Sequence, residues 1–92
     1  MSGDAPGDDE ERVWLVERDY DQKGLVRLVY ATPDGDRHLT RELSRQMLQR
    51  TTVTAARTVS EDRLEPTPGT DRERYAAEAG RMADRHDPDD PV

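Results

Sequence analysis

Five arginines between positions 37 and 57 are the residues of this 92-residue chain with the clearest capacity for chemistry. One acid, Glu42, lies among them, so the segment has a formal charge of +4 within a chain whose net charge is -7. Guanidinium groups bind phosphate and carboxylate oxygens through paired N–H donors, and the cluster therefore predicts an anion-binding surface. The five residues are Arg37, Arg41, Arg45, Arg50 and Arg57.

Two interpretations of this surface stay open at the level of sequence. In the first, the arginines bind the phosphates of single-stranded RNA, and bases stack on aromatic side chains, for which the candidates are Trp14, Tyr20 and Tyr30. In the second, the arginines pair with the acidic ends of the chain or with a second subunit, and the aromatic rings belong to the core. Salt bears on the choice, because binding that depends on phosphate contacts weakens steeply as the salt concentration rises.

Little in the sequence supports catalysis or cofactor binding. The chain has three serines, two histidines and no cysteine, which leaves few groups for a nucleophilic triad. Asp34 and Asp36 flank a glycine, but the other ligands of a calcium loop do not follow, so residues 33–36 are interpreted as a turn. The acids and the histidine between 84 and 90 are interpreted as flexible, solvated charge. We therefore predict no enzyme activity, no catalytic residue, no metal site and no cofactor.

The composition indicates adaptation to salt. The 21 acids comprise 13 aspartates and 8 glutamates, whereas the 14 bases comprise 13 arginines and a single lysine, Lys23. Acidic, lysine-poor surfaces are typical of salt-accumulating haloarchaea, where carboxylates stay hydrated and charge repulsion is screened within about 3 Å at 1 M salt. The sequence contains neither an apolar run of membrane-spanning length nor a basic, apolar leader. We therefore expect a halophilic, cytoplasmic protein without a membrane anchor.

The first third of the chain predicts a β-hairpin. Residues 13–20 and 25–32 are rich in β-branched and aromatic side chains, and a glycine-containing loop separates them. Strict alternation along the first strand assigns its side chains to two faces. One face has Val13, Leu15 and Glu17, and the other has Trp14, Val16, Arg18 and Tyr20.

The middle of the chain predicts shorter elements. After the turn, residues 37–40 are expected to extend the sheet as a third strand. Leu43, Met47 and Leu48 recur at helical spacing, so a short helix is predicted over 41–50. Residues 53–59 return to β-branched alternation and predict a further strand.

The last third predicts a linker followed by a helix. Two prolines and a glycine make residues 65–69 an extended linker. Thr70 and Glu73 fit a capping box, and a helix is predicted over 70–86, where its narrow apolar stripe requires packing on the sheet. The acidic segments 1–11 and 87–92 are expected to be disordered tails beside a β-rich core at 12–64. The fold class is therefore α+β, a small antiparallel sheet with a short middle helix and a C-terminal helix packed on it.

The small apolar content predicts self-association. About 18 large apolar side chains form the candidate core, and a core of this size gains from a second copy or from high salt. We therefore expect a homodimer and a non-catalytic protein-interaction module, whose protein partner the sequence does not identify. The alternative is an RNA- or ribosome-associated protein that uses the arginines at 37–57.

Two long segments also carry a resemblance. WLVERDYDQKGLVRLVYATPDGD at 14–36 and ERYAAEAGRMADRHDPDD at 73–90 are similar to small haloarchaeal proteins of an uncharacterised family. The resemblance implies a cytoplasmic, salt-adapted protein and assigns no functional residue.

Overall fold

The computed structural model describes residue 7 and residues 9–92, which form one five-stranded antiparallel sheet with helices. The strand order is β4-β1-β2-β3-β5, so strands consecutive in sequence pair except where β4 returns to β1 and β5 to β3. This arrangement confirms the predicted α+β class. The elements are β1 (Glu10–Tyr20), β2 (Leu25–Ala31), β3 (Arg37–Ser44), α1 (Arg45–Arg50), β4 (Ala56–Ser60), a 3-10 turn (Glu61–Arg63), β5 (Glu65–Pro66) and α2 (Gly69–Arg85).

A β-bulge in β1 changes which side chains face the core. Leu15 lies opposite Tyr30, but the next paired residue, Glu17, lies opposite Val29, so Val16 is the extra residue of the bulge. Because two residues of β1 then oppose one of β2, the alternation shifts by one position. The faces predicted for the side chains of the first strand are therefore wrong after Val16. Glu17 joins the face of Trp14 and Val16, and Arg18 and Tyr20 join the face of Val13 and Leu15.

The sheet is curled, as its connections require. β4 and β5 lie at opposite edges, four strand spacings or about 19 Å apart in a flat sheet. Five residue steps from Ser60 to Glu65 cover at most about 18 Å when fully extended, and the 3-10 turn shortens this reach. The two edges therefore approach each other, and the sheet has a concave and a convex face.

The concave face contains the largest fully buried side chains. Val13, Val26, Leu28 and Tyr30 are each 0% exposed. Leu48 of α1, with other partly buried apolar side chains, packs against this cluster. Burying each large apolar side chain contributes about 1.5 to 3 kcal/mol, so this cluster is the main apolar contribution to folding.

Helix α2 covers the convex face. Tyr75 and Ala79 are buried against Trp14, Val16 and Val29. The helix begins at Gly69, with Pro68 as its N-cap and no side-chain cap, so the predicted capping box of Thr70 and Glu73 does not form. The extended chain through the two prolines explains the shift, because the Pro68 carbonyl accepts the Asp71 N–H at 2.9 Å and starts the helix earlier.

The third strand is longer, and the middle helix shorter, than predicted. β3 continues to Ser44 because Arg41 and Glu42 pair with Leu28 and Arg27 of β2, which uses their backbone groups in the ladder. The helix is then restricted to 45–50, where the Ser44 hydroxyl accepts the Met47 N–H at 3.1 Å.

The predicted strand 53–59 and linker 65–69 are also displaced. The strand is found at Ala56–Ser60, where the regular ladder with β1 runs. Ala55 precedes this ladder, and its carbonyl accepts the Leu15 N–H. Glu65 and Pro66 of the linker form β5 against β3, a pairing that the sequence does not signal.

Parts of both predicted tails belong to the folded domain. Glu10 and Glu11 pair with Ser60 and Val59 as the start of β1, whereas residues 1–6 and 8 of the first tail lie outside the described residues. The second tail lies beside residues 53–56, where Ala55 N–H donates to the Asp90 carbonyl and Val92 N–H to the Val53 carbonyl, each at 2.9 Å. Backbone groups that a sheet edge leaves unpaired explain this docking. No helix in the described part of the chain is long and apolar enough to cross a bilayer.

Candidate anion-binding site

The structure distributes the five predicted arginines over three elements. Arg37 and Arg41 belong to β3, Arg45 and Arg50 are the two ends of α1, and Arg57 belongs to β4. The helix predicted over 41–50 would place Arg41 and Arg45 one turn apart, but Arg41 pairs with Leu28 of β2 and belongs to the sheet. The arginines therefore do not form a single helical face.

Arg37 is paired with an acid of the same chain. Its Nη2 donates to Glu11 Oε2 at 2.9 Å, and both side chains are partly exposed. Such a pair contributes between 0 and about 1 kcal/mol. For this residue the structure shows the internal pairing that the second interpretation predicts.

The other four arginines form no ion pair with any residue that the structure describes. Three arginines of the convex side are paired instead, since Arg27 and Arg74 both bind Glu17 and Arg81 binds Glu78. The four unpaired residues are Arg41, Arg45, Arg50 and Arg57.

Two of these arginines project from the concave face. Arg57 lies opposite Val13 and Arg41 lies opposite Leu28, and both of these apolar partners belong to the concave core. Directly opposite residues of an antiparallel pair share a face. Arg63, in the 3-10 turn after β4, adds a third cation, and Arg41, Arg57 and Arg63 are called the arginine seam below.

The electrostatics of Arg57 show how close the seam residues are. Burial lowers the pKa of its guanidinium, and repulsion from Arg41 and Arg63 lowers it further, while Tyr30 acts in the opposite direction. The Arg57 Cζ lies 5.8 Å from the centroid of the Tyr30 ring, within the range of a cation–π contact. Arg57 is therefore a partly buried cation among other cations.

Two donors at this position have no partner among the residues that the structure describes. The Tyr30 hydroxyl and Arg57 Nη1 are buried, and neither forms a hydrogen bond within the described part of the chain. A buried donor without a partner costs about 1 to 3 kcal/mol, and more when it is charged. An oxyanion would satisfy both donors, since its oxygens accept hydrogen bonds and its charge offsets the repulsion among Arg57, Arg41 and Arg63.

The three predicted stacking residues have different environments. Trp14 is 8% exposed beneath α2 and Tyr30 is 0% exposed, so neither presents a ring face to a base. Tyr20 is 59% exposed at the end of β1 and does present its ring. The stacking hypothesis is therefore restricted to Tyr20.

Sequence reasoning missed the contribution of Arg63 and the donor role of Tyr30. A signal for the seam was present, because Arg57 occupies an inward position in the alternating run Val53, Ala55, Arg57, Val59. An arginine among inward apolar side chains indicates a buried charge that needs a partner. Arg63 carries no such signal, because its position depends on how the sheet edges meet.

The acidic residues considered as metal ligands accept hydrogen bonds in local turns. Asp34 accepts the Thr32 hydroxyl at 2.6 Å and the Asp36 N–H at 3.0 Å, and these hydrogen bonds hold the pKa of its carboxyl below the usual range. Asp90 accepts the Asp87 N–H at 2.9 Å. Across residues 7 and 9–92, no three His, Asp or Glu side chains are arranged to hold a metal ion.

Comparison with known proteins places the chain in a family without assigning an activity. Neither a curated protein nor a solved structure matches the chain. The family model of DUF7967, described as a family of unknown function, matches residues 7–92, a range that includes Tyr30 and the whole arginine seam. The chain therefore belongs to DUF7967, a family of unknown function.

Proposed function

We propose that this protein is a non-catalytic binding module. Its unpaired arginines would bind the phosphate groups of RNA. The observation that carries the proposal is the lack of ion pairs at Arg41, Arg45, Arg50 and Arg57 among the described residues. The chain has 21 acids for 14 bases, so acids are available in excess. Cations that stay unpaired in such a chain are suited to an external anion.

The exposed part of this surface lies around α1. Arg45 and Arg50 are exposed at the two ends of the helix, and the Arg45 N–H donates to the Gly24 carbonyl of the β1–β2 loop at 3.2 Å. Tyr20, 59% exposed, ends β1 just before that loop. Exposed arginines and one exposed aromatic ring, on elements that meet at this loop, suit single-stranded RNA, because stacking contributes about 1 to 3 kcal/mol per base.

The proposal includes a salt-rich cytoplasm as the setting. The composition of 13 aspartates, 13 arginines and one lysine supports it. Salt at 1 M screens exposed charges beyond about 3 Å, so contacts of Arg45 and Arg50 alone would bind RNA weakly there. Salt weakens stacking on Tyr20 and any buried contact less than it weakens exposed charge contacts. RNA binding at high salt would therefore depend on stacking and on buried contacts.

The test is RNA binding by the variant R45A/R50A, measured by fluorescence anisotropy with a single-stranded oligonucleotide. At about 0.2 M salt we expect a loss of roughly tenfold and a salt slope less steep by about 1.4, because each single-strand phosphate contact contributes about 0.7. The matched control is R72A/R81A, which removes the same charge from exposed positions of α2. Equal binding by both double variants, or no binding by the wild type, contradicts the proposal.

A second candidate function is self-association as a homodimer, favoured by exposed apolar side chains. Tyr20, Leu25 and Met47 are 59%, 38% and 49% exposed where the hairpin loop meets α1. Apolar side chains exposed together are a feature of protein interfaces. Light scattering in about 2 M KCl tests it: a dimer that L25E/M47E converts to a monomer supports self-association, and a wild-type monomer excludes it.

A further inference from the structure

We infer that Tyr30 and Arg57 form a recessed site for a phosphate-type oxyanion, either free phosphate or the terminal phosphate of an RNA. The RNA source rests on the proposed function, whereas the binding of free phosphate does not. The occupant is defined by its chemistry: a compact group with several free oxygens and up to two negative charges.

The first support is the pair of unsatisfied donors. The Tyr30 hydroxyl and Arg57 Nη1 are buried without partners in the described residues, and Tyr30 is 0% exposed as a whole. Buried polar groups in folded proteins are nearly always hydrogen-bonded. Two such groups on neighbouring side chains point to a shared acceptor rather than to two independent exceptions.

The second support is the charge around these donors. Arg41 and Arg63 act on Arg57 by repulsion, and no ion pair with a described acid offsets the charge of any of the three. An anion beside Arg57 offsets the two repulsive interactions by attracting all three guanidinium groups. Because the site is partly buried, salt screens this attraction less than it screens the exposed contacts of Arg45 and Arg50.

The third support is the access to the site. Arg57 is only partly buried, and it borders a surface cavity of about 200 Å³ beside β4, so its side chain links the neighbourhood of the Tyr30 ring to solvent. A phosphodiester has substituents on two of its four oxygens, whereas a monoester has one and free phosphate none. Because the two donors are buried, the site favours an end group or the free anion over the chain interior of a nucleic acid.

The experiment measures inorganic phosphate binding by calorimetry and by the shift in melting temperature, against chloride at equal ionic strength. We expect phosphate to stabilise the wild type, and Y30F and R57Q to weaken its binding at least tenfold. The matched controls are Tyr75→Phe, a buried tyrosine of the convex face, and Arg81→Gln, an arginine that binds Glu78; both should bind phosphate like the wild type.

If R57Q does not fold, Y30F alone tests the site. Because it removes a donor that has no partner, it should be as stable as the wild type or more stable without phosphate. The inference is overturned by a wild type that phosphate does not stabilise beyond chloride, or by a Y30F protein that keeps wild-type phosphate affinity. It is also overturned by a Y30F protein that is strongly destabilised without phosphate, since the hydroxyl then has an internal structural role.

RNA ends distinguish the two sources of the anion and separate this inference from the proposed function. One oligonucleotide is compared with a 5′-phosphate and with a 5′-hydroxyl. A preference for the phosphorylated end that Y30F abolishes identifies an RNA terminus as the ligand. Phosphate binding without RNA binding supports the free anion and refutes only the proposed function. RNA binding that is indifferent to the end group and to Y30F refutes only the inference.

Discussion

Replacing Gly35 with alanine tests how α2 is docked on the sheet. Gly35 has φ +75°, a conformation that L-residues rarely adopt, and its position is buried in the turn before β3. A Cβ placed there meets the Arg72 carbonyl oxygen and lies 2.9 Å from the Ala76 nitrogen. Both contacts are with the backbone of α2, so neither is relieved by a side-chain rotation, and the helix or the turn must move.

Gly24 provides the matched control for the backbone term. It has φ +88°, but a Cβ there has nothing within 4 Å. Gly24→Ala should therefore cost about 1 kcal/mol, the price of the left-handed conformation. Gly35→Ala carries that cost plus an overpacking term of about 1 to 3 kcal/mol, giving roughly 2 to 4 kcal/mol.

The assay is urea unfolding of the two variants and the wild type under one salt condition, with the change in free energy of unfolding as the readout. In a domain of this size each kcal/mol shifts the melting temperature by about 4 to 8 °C, so the difference is also measurable by heating. Equal destabilisation by the two substitutions would refute the reasoning, because it would mean that α2 does not contact the turn in solution.

Three further predictions concern stability. Gly80→Ala, at an exposed helix position where a Cβ meets nothing within 4 Å, should stabilise the protein by about 1 kcal/mol in urea unfolding, and a loss of stability would contradict the helix there. Leu28→Ala, at a residue 0% exposed in the concave core, should cost about 2 to 5 kcal/mol, and a cost below 1 kcal/mol would contradict its burial. Asp34 has a lowered pKa in the folded state, so its contribution is present above the unfolded pKa of about 3.9 and is lost as the pH falls through the lower folded value. Asp34→Ala should therefore cost about 1 kcal/mol at pH 7 and less at about pH 3, and an equal cost at both would exclude the carboxylate's ionisation as the cause.

The hairpin and the C-terminal helix are predictable because local signals and tertiary structure agree there. β-branched runs flank a glycine loop, and the stripe that includes Tyr75 and Ala79 repeats at helical spacing. Segment 41–44 is different, because the helical spacing of Leu43, Met47 and Leu48 competes with strand pairing. The ladder with β2 decides the outcome, and that ladder depends on a partner strand rather than on the segment itself.

The seam could be predicted only in part for the same reason. The charge excess at 37–57 is visible in the sequence, and Arg57 stands at an inward position of an alternating run. Its proximity to Arg41 requires the strand order and the curl of the sheet, neither of which is a local property. The bulge at Val16 is likewise invisible in the alternation, and it moves Glu17 to the convex side, where it binds two arginines.

The unpaired state of the seam follows from where the acids lie in the fold. On the concave face, the inward positions of β3 after Arg37 are Leu39, Arg41 and Leu43, and those of β4 are Arg57 and Val59. Glu11 of β1 is the acid that the same face contributes near them, and it is bound to Arg37. The convex side instead places Glu17, Asp71 and Glu78 beside its arginines. Arg27, Arg74 and Arg81 of the convex side are thus paired with acids, whereas Arg41 and Arg57 of the concave face form no ion pair with a described acid, which is the distribution expected if an external anion completes the concave side.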